Sequence, residues 1–218
     1  MIQTFFTTKE DGSMIEPKNR VAFLEKHNLY QKKDAVMKQV HGSHIIRIDG
    51  DYSPQEADGM ITNRDDIALF VLVADCIPVL LYDKIQNVIG VVHAGRQGVF
   101  KNILANMVKE FVDGYQSKPE DIQVIFGPHA LKCCYEVGRD TNEHIDFVRN
   151  SYGEDYIFEN NIDLAGIAVK QLIEAGLLKE NIQRSSTCTM CNGNNEYYSY
   201  RNGNNGNKER FAGIITLT

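Results

Sequence analysis

The apolar patterning of this 218-residue chain predicts one α+β domain spanning residues 1–218. Three observations lead there. Runs of strand length, rich in Val, Ile and Leu, recur along the chain without regular alternation with helices. Helical spacing is confined to four stretches. No repeat, linker or low-complexity tract divides the sequence.

Taken in order, residues 5–8 read as a short strand ending in a turn at Asp11-Gly12. Residues 19–28 place Val21, Phe23 and Leu24 among charges, as on a surface helix. Residues 35–40 and 43–48 read as strand pieces on either side of His41-Gly42. Residues 67–82 form a long run that predicts two buried strands broken at Asp75-Cys76-Ile77-Pro78, with a strand end or bulge at Pro78 because proline lacks a ladder donor. Residues 88–92 predict another buried strand. It enters a glycine-bearing turn and then a helix marked by Val99, Ile103, Leu104, Met107, Val108 and Phe111. A strand is expected at 122–126, then helices at 142–148 and 162–175, the second stopped by Gly176. Gly/Asn-rich stretches at 192–195 and 202–207 predict tight turns, with an aromatic strand at 196–201 between them and an apolar strand at 211–217 after them.

Composition excludes several classes. Hydrophobic residues make up 43% and charged residues 24%, the balance of a globular protein. A formal net charge of −6 gives no footprint for nucleic acid or an anionic membrane. The first twenty residues carry Lys9, Asp11, Glu16, Lys18 and Arg20 and no signal-like apolar core. No run approaches the roughly 18 apolar residues of a membrane span. The chain therefore reads as cytoplasmic. Its five cysteines, an odd number, argue against a disulfide framework. Cys188-Thr-Met-Cys191 has the spacing of half a zinc site or a redox pair, but no second CxxC accompanies it, and Cys133-Cys134 reads as packing.

Three segments each end an apolar run with a soft metal ligand: His41, Cys76 and His93. Imidazole and thiolate suit zinc, and three protein ligands leave its fourth position open, as in a catalytic site. Copper is the alternative ion, since a His₂Cys set is also the blue-copper type. Against a laccase, the chain has six histidines and no HxH pair. His44 is a spare ligand only on a helix. His129 is a candidate at the site edge, and His27 and His144 read as solvated. Asp75, next to Cys76, points away from the metal on an extended backbone and orients a neighbour from a bent one. Arg201 and Arg210 suit an anion clamp, because guanidinium binds phosphate through two parallel hydrogen bonds. Lys38 and Gln39, beside His41, are weaker candidates for the same pocket, and Tyr135 could stack on a base.

Eight ordered blocks carry a family resemblance: KQVHG (38–42), ADGMIT (57–62), VADCIPVLLYD (73–83), VVHAG (91–95), GPHALKCCYEVG (127–138), CTMCN (188–192), YYSYRNG (197–203) and RFAGII (210–215). Together they resemble the multicopper polyphenol oxidase or laccase-like family, whose members have been reassigned as zinc-dependent purine nucleoside phosphorylases that also deaminate adenosine. The resemblance implies His41, Cys76 and His93 as ligands of zinc. It also implies a layered α/β/β/α sandwich with mixed sheets, of the cysteine hydrolase type seen in cytotoxic necrotizing factor toxins. Where many members read HAGWRG, this chain reads HAGRQG, placing Arg96 one position earlier.

The candidate catalytic residues, read from their positions beside the ligand segments, are Asp75 and His129. The substrate-binding residues are Lys38, Gln39, Arg96, Arg201 and Arg210. The expected partners are purine nucleosides (adenosine, inosine, guanosine, extending to methylthioadenosine) and phosphate, with a homodimer as a possible assembly. The competing reading is a cysteine hydrolase or deamidase using Cys76 as nucleophile and His93 as base.

Overall fold

The computed structural model describes residues 1–137, 142–202 and 208–218. Within them two mixed sheets stack face to face. The smaller has the order β1 (Ile2–Phe6), β12 (Phe211–Leu217), β5 (Ile67–Val73), β2 (Lys33–Val36). In it β12 runs antiparallel to both neighbours, and β2 is parallel to β5. The larger has the order β11 (Ile182–Arg184), β8 (Gln123–Phe126), β6 (Ile77–Asp83), β7 (Val88–Ala94), β4 (Gly59–Thr62), β3 (Ile45–Arg47). Its outer pairs, β11 with β8 and β3 with β4, are parallel, and the three between are antiparallel.

Alternation along the strands explains the layering. In β5, Leu69 and Val71 point between the sheets, where they meet Leu80, Ile89, Val91, Phe211 and Ile215. Ala68 and Phe70 point the other way, onto Phe23 and Leu24 of α1 (Pro17–Lys26). In β6 and β7, Val79, Leu81 and Val92 face the opposite side of the larger sheet. There they pack on α3 (Ile103–Tyr115) and α5 (Leu164–Glu174). Strands buried on both faces need apolar residues at every position, so they read as continuous runs. Each such side chain contributes about 1.5–3 kcal/mol of burial. The result is the expected α+β architecture, helix on sheet on sheet on helix. Among the described residues no helix is long and apolar enough to cross a membrane.

Several boundaries differ from expectation. The break in residues 67–82 is a turn at Asp75, which has φ +84°. Pro78 neither ends nor bulges its strand: it is the second residue of β6 and pairs with His93, a strand-start position where its missing N–H is tolerated. The helix expected across 99–111 is two, α2 (Arg96–Phe100) and α3, because Asn102 between them is left-handed at φ +58°. The helix at 142–148 runs on as α4 (Glu143–Tyr152). Gly176, at φ +99°, follows α5 as expected. A small hairpin of β9 (Ile157–Phe158) and β10 (Asn161–Ile162) was not foreseen.

Residues 196–201 do not form a strand. Their polar groups serve Asp75 instead: Ser199 Oγ donates to its carboxylate at 3.0 Å and the Arg201 N–H at 2.8 Å. The turn at 192–195 has the expected positive φ at Gly193 and Asn195. That expected at 202–207 lies, beyond Asn202, outside the described residues.

Candidate metal centre and adjoining pocket

His41 lies in the loop between β2 and β3, Cys76 in the turn between β5 and β6, and His93 near the end of β7. The fold brings them together: one ligand atom from each lies within 4.8 Å of the others. The two imidazole rings sit 4.8 Å apart at 79°. His93 is buried, Cys76 partly buried and His41 exposed, so the cluster opens on one side.

Asp58, fully buried just before β4, sets this geometry. One carboxylate oxygen accepts from His93 Nδ1 at 2.7 Å and from the His41 N–H at 3.0 Å. The other accepts from the N–H groups of Gly42 at 2.6 Å and Val40 at 3.2 Å. Three successive backbone donors converge on one carboxylate because His41 adopts φ +59°, forming an anion-binding nest. The charge-assisted bonds offset the cost of a left-handed histidine. With Nδ1 held by Asp58, His93 turns Nε2 toward the cluster, the carboxylate–histidine–metal arrangement.

The electrostatics follow. Burial acts to raise the Cys76 thiol, but hydrogen bonds and charge from His41 and His93 outweigh it and bring it down to about 6. Burial acts to lower His93, but Asp58 and the Cys76 thiolate raise it to about 9. Burial likewise opposes ionisation of Asp58, and the His93 and Gly42 contacts more than reverse this, holding its carboxyl below the usual range.

The donor set fits a soft or borderline divalent ion. Gly95 keeps the space clear. A Cβ there would lie 3.2 Å from His41 Cδ2 and 3.3 Å from Cys76 Sγ. Its φ of −76° suits any residue, so the demand is steric.

A cavity of about 630 Å³ opens beside the cluster, within the size range of small-molecule sites. His41, Cys76 and His93 line it together with Arg96, Arg201 and Arg210. Ile15, Met37, Leu72, Tyr135 and Tyr200 supply apolar and aromatic wall. The Arg201 guanidinium lies 4.5 Å from the Tyr135 ring centroid and donates to the Glu136 carbonyl. Arg96 Nε is buried with no hydrogen-bond partner among the described residues.

Other expected site residues are placed differently. Lys38 is exposed, bridges to Glu56 and does not line the cavity. Gln39 lines it, but its amide is engaged: Nε2 donates to the Leu72 carbonyl at 2.7 Å and Oε1 accepts the Leu72 N–H at 2.9 Å. It continues the β2–β5 ladder by side chain. Asp75 does line the cavity, and from its bent backbone it orients neighbours as expected, its carboxylate accepting from Thr189 Oγ1 as well as from Ser199 and the Arg201 N–H. It anchors the C-terminal segment of the wall. His129 is buried behind that wall with Nδ1 donating to the Gly127 carbonyl, and burial lowers its basicity. His44 is exposed and outside the cluster. His27, read as solvated, packs on Phe23 and Phe5 with ring centroids at 4.3 and 4.7 Å. His144 lies 6.3 Å from the Phe100 ring.

Residues 6–218 match the family described as Multi-copper polyphenol oxidoreductase laccase. The chain belongs to this family. A relative from Clostridium acetobutylicum, named a purine nucleoside phosphorylase, is 31% identical over 216 residues, covering 97% of this chain and 90% of its own. Another so named, from Aquifex aeolicus, is 36% identical over 184 residues, covering 82% and 80%. Among solved structures, the Bacillus licheniformis hypothetical protein YfiH superposes with a TM-score of 0.85 at 27% identity, covering 100% of this chain and 93% of its own. YlmD from Geobacillus stearothermophilus gives 0.78 at 25% identity, with 91% and 78% covered.

Within this family member, sequence reasoning missed Asp58, Gly95 and Tyr200. Asp58 and Gly95 lie inside the quoted blocks, yet nothing local distinguishes a buried carboxylate that binds a distant loop from one in a surface turn. A glycine two residues after a ligand histidine was the available signal for Gly95.

Proposed function

We propose that this protein is a zinc-dependent purine nucleoside phosphorylase that also deaminates adenosine. The observation that carries the reading is one cavity holding both the His41–Cys76–His93 cluster and three arginines. The names of the relatives from Clostridium and Aquifex support the phosphorylase part of it. His41, Cys76 and His93 would hold the zinc ion, which when bound would supply Lewis acidity and lower the pKa of water toward neutral.

The chain's own residues do the rest. Arg96, Arg201 and Arg210 bring positive charge to the cavity lining, matching the phosphate that must approach the ribose. Tyr135 lines the cavity as a protonated phenol, its ionisation pushed up to about 12 by burial first and then by the Cys76 thiolate, and the Arg201 guanidinium lies over its ring. Asp75 fixes the backbone of Arg201 and hence the clamp. Incubating metal-quantified protein with adenosine, with and without phosphate, separates the two reactions: inosine reports deamination and adenine reports phosphorolysis. Neither product forming would reject the reading.

Arg201→Ala separates phosphate binding from the shared nucleoside site. We expect the apparent phosphate affinity to fall about 10–100-fold, as for a charge-assisted hydrogen bond worth roughly 1.5–3 kcal/mol. Deamination of adenosine should change by much less. Equal loss of both would assign Arg201 to the nucleoside instead.

Metal binding should depend on pH with a definite sign. His93 is raised from its unfolded value near 6.5 to about 9, so its proton stabilises the metal-free fold below about 6.5, and this is lost as pH rises through 9. Zinc needs the neutral imidazole. Zinc affinity, measured against a chromophoric chelator, should therefore climb up to tenfold per pH unit and level off above 9. Below about 6 protonation of Cys76 steepens the fall. A flat profile would contradict the ligand assignment.

One observation favours a second reading. Asp58, His93 and Cys76 form a relay in which the thiol is already pulled down to about 6, as a cysteine hydrolase requires. In that reading His41 assists His93 in lowering the thiol and holds no ion, so metal content distinguishes the two.

A further inference from the structure

The four cysteines outside the catalytic cluster lie in two turns that the fold lays against each other. Cys133 and Cys134 occupy a turn closed by the Cys134 N–H on the Leu131 carbonyl at 2.9 Å. Cys188 and Cys191 occupy a second turn, joined to the first segment by the His129–Cys188 bridge and by the Thr189 N–H on the His129 carbonyl at 3.0 Å. All four sulfurs lie within 4.8 Å of one another, and Cys133 Sγ is 3.6 Å from Cys191 Sγ. All are free thiols.

That spacing matches a single tetrahedral ion. Zn–S bonds of about 2.3 Å hold their sulfurs about 3.8 Å apart. Cys188-Thr-Met-Cys191 has the CxxC spacing of half a structural zinc site, and the turn of Cys133 and Cys134 supplies the other two sulfurs. A disulfide between Cys133 and Cys191 would leave Cys134 and Cys188 unexplained. A multi-iron cluster would hold its thiolates farther apart than a single ion does.

We propose that Cys133, Cys134, Cys188 and Cys191 bind a second zinc ion as a closed structural site, separate from His41, Cys76 and His93. Four thiols release their protons to solvent as the ion binds. Four protein ligands leave no open position, so this ion does no chemistry. It staples two segments that carry the pocket wall. Cys134 immediately precedes Tyr135. Thr189 donates to Asp75, and Asn202 Nδ2 donates to the Met190 carbonyl at 2.7 Å, one residue beyond Arg201. The sequence alone did not show this, because the second pair is adjacent cysteines and not another CxxC.

The test is metal stoichiometry, which depends on no substrate. Full-length protein, dialysed without chelator, is assayed for metals by plasma mass spectrometry and for thiols with Ellman's reagent. We expect two zinc ions per chain, falling to one in the double variant Cys133→Ser/Cys191→Ser and to one in His41→Ala. Cys133 and Cys191 are exposed, yet both should react slowly until a chelator is added. If the double variant does not fold, cobalt(II) replacing zinc in His41→Ala supplies the readout: this variant should keep the intense thiolate-to-cobalt absorption of a four-sulfur site. A single zinc per chain with rapidly reacting Cys133 and Cys191, a Cys133–Cys191 disulfide, or iron in place of zinc overturns the proposal. Loss of nucleoside activity with both ions retained would reject the functional reading and leave this site intact.

Discussion

Cys76→Ser should lose the metal at the His41–Cys76–His93 cluster together with both activities. A neutral serine hydroxyl is a far weaker ligand for a borderline-soft ion than thiolate. Losing even a supporting partner of a metal ligand costs about 10–100-fold in affinity. Loss of a ligand itself should exceed this, and turnover should fall by at least about 100-fold at limiting zinc. The nucleophile reading predicts otherwise: turnover vanishes while metal content stays as in the wild type. His41→Ala sharpens the contrast. As a ligand, its removal strips the metal. Beside a free Cys76–His93 dyad, its removal should slow turnover by weakening the pull on the Cys76 thiol while leaving metal content unchanged, and wild-type Cys76 should be alkylated by iodoacetamide without prior chelation. An active wild type with no ion at this cluster, indifferent to chelators, would overturn the ligand assignment.

What the sequence made legible depended on how local each signal was. His41, Cys76 and His93 each close an apolar run, so ligand chemistry and strand-end placement could be read together, and the fold does join them. The strands on which Cys76 and His93 are carried were equally plain, since burial on both faces makes β5, β6 and β7 continuously apolar. The failures are tertiary. Gln39 looked like a polar pocket residue, but its amide copies a backbone pair and binds Leu72. The aromatic stretch at 196–201 had a strand's composition, yet Asp75 captures its hydrogen-bonding groups. The periodicity from Val99 to Phe111 concealed the left-handed Asn102, because the apolar residues on either side still face the same core. Cys133 and Cys134 gave no sign that they meet Cys188 and Cys191, more than fifty residues away.

Asp58→Asn should expose how much of the centre rests on one carboxylate. Four hydrogen bonds, from His93 Nδ1 and the N–H groups of Val40, His41 and Gly42, fall on its two oxygens. Asparagine has one oxygen, and its amide nitrogen must confront the other pair of donors whichever way it turns. Leaving buried donors unmet costs about 1–3 kcal/mol each, so the fold should lose on the order of 3 kcal/mol. A purely structural role ends there. A positioning role also moves His93, since Asp58 helps hold it at about 9. NMR of the metal-free variant should show that imidazole titrating closer to 6.5. The consequence for zinc then depends on pH. Above 9 His93 is neutral in both proteins, and the full 10–100-fold loss of affinity should appear. Toward pH 7 the wild type must first shed a proton that the variant holds less tightly, so the difference should shrink. A loss independent of pH, with His93 still titrating near 9, would mean that Asp58 braces the loop without tuning the ligand.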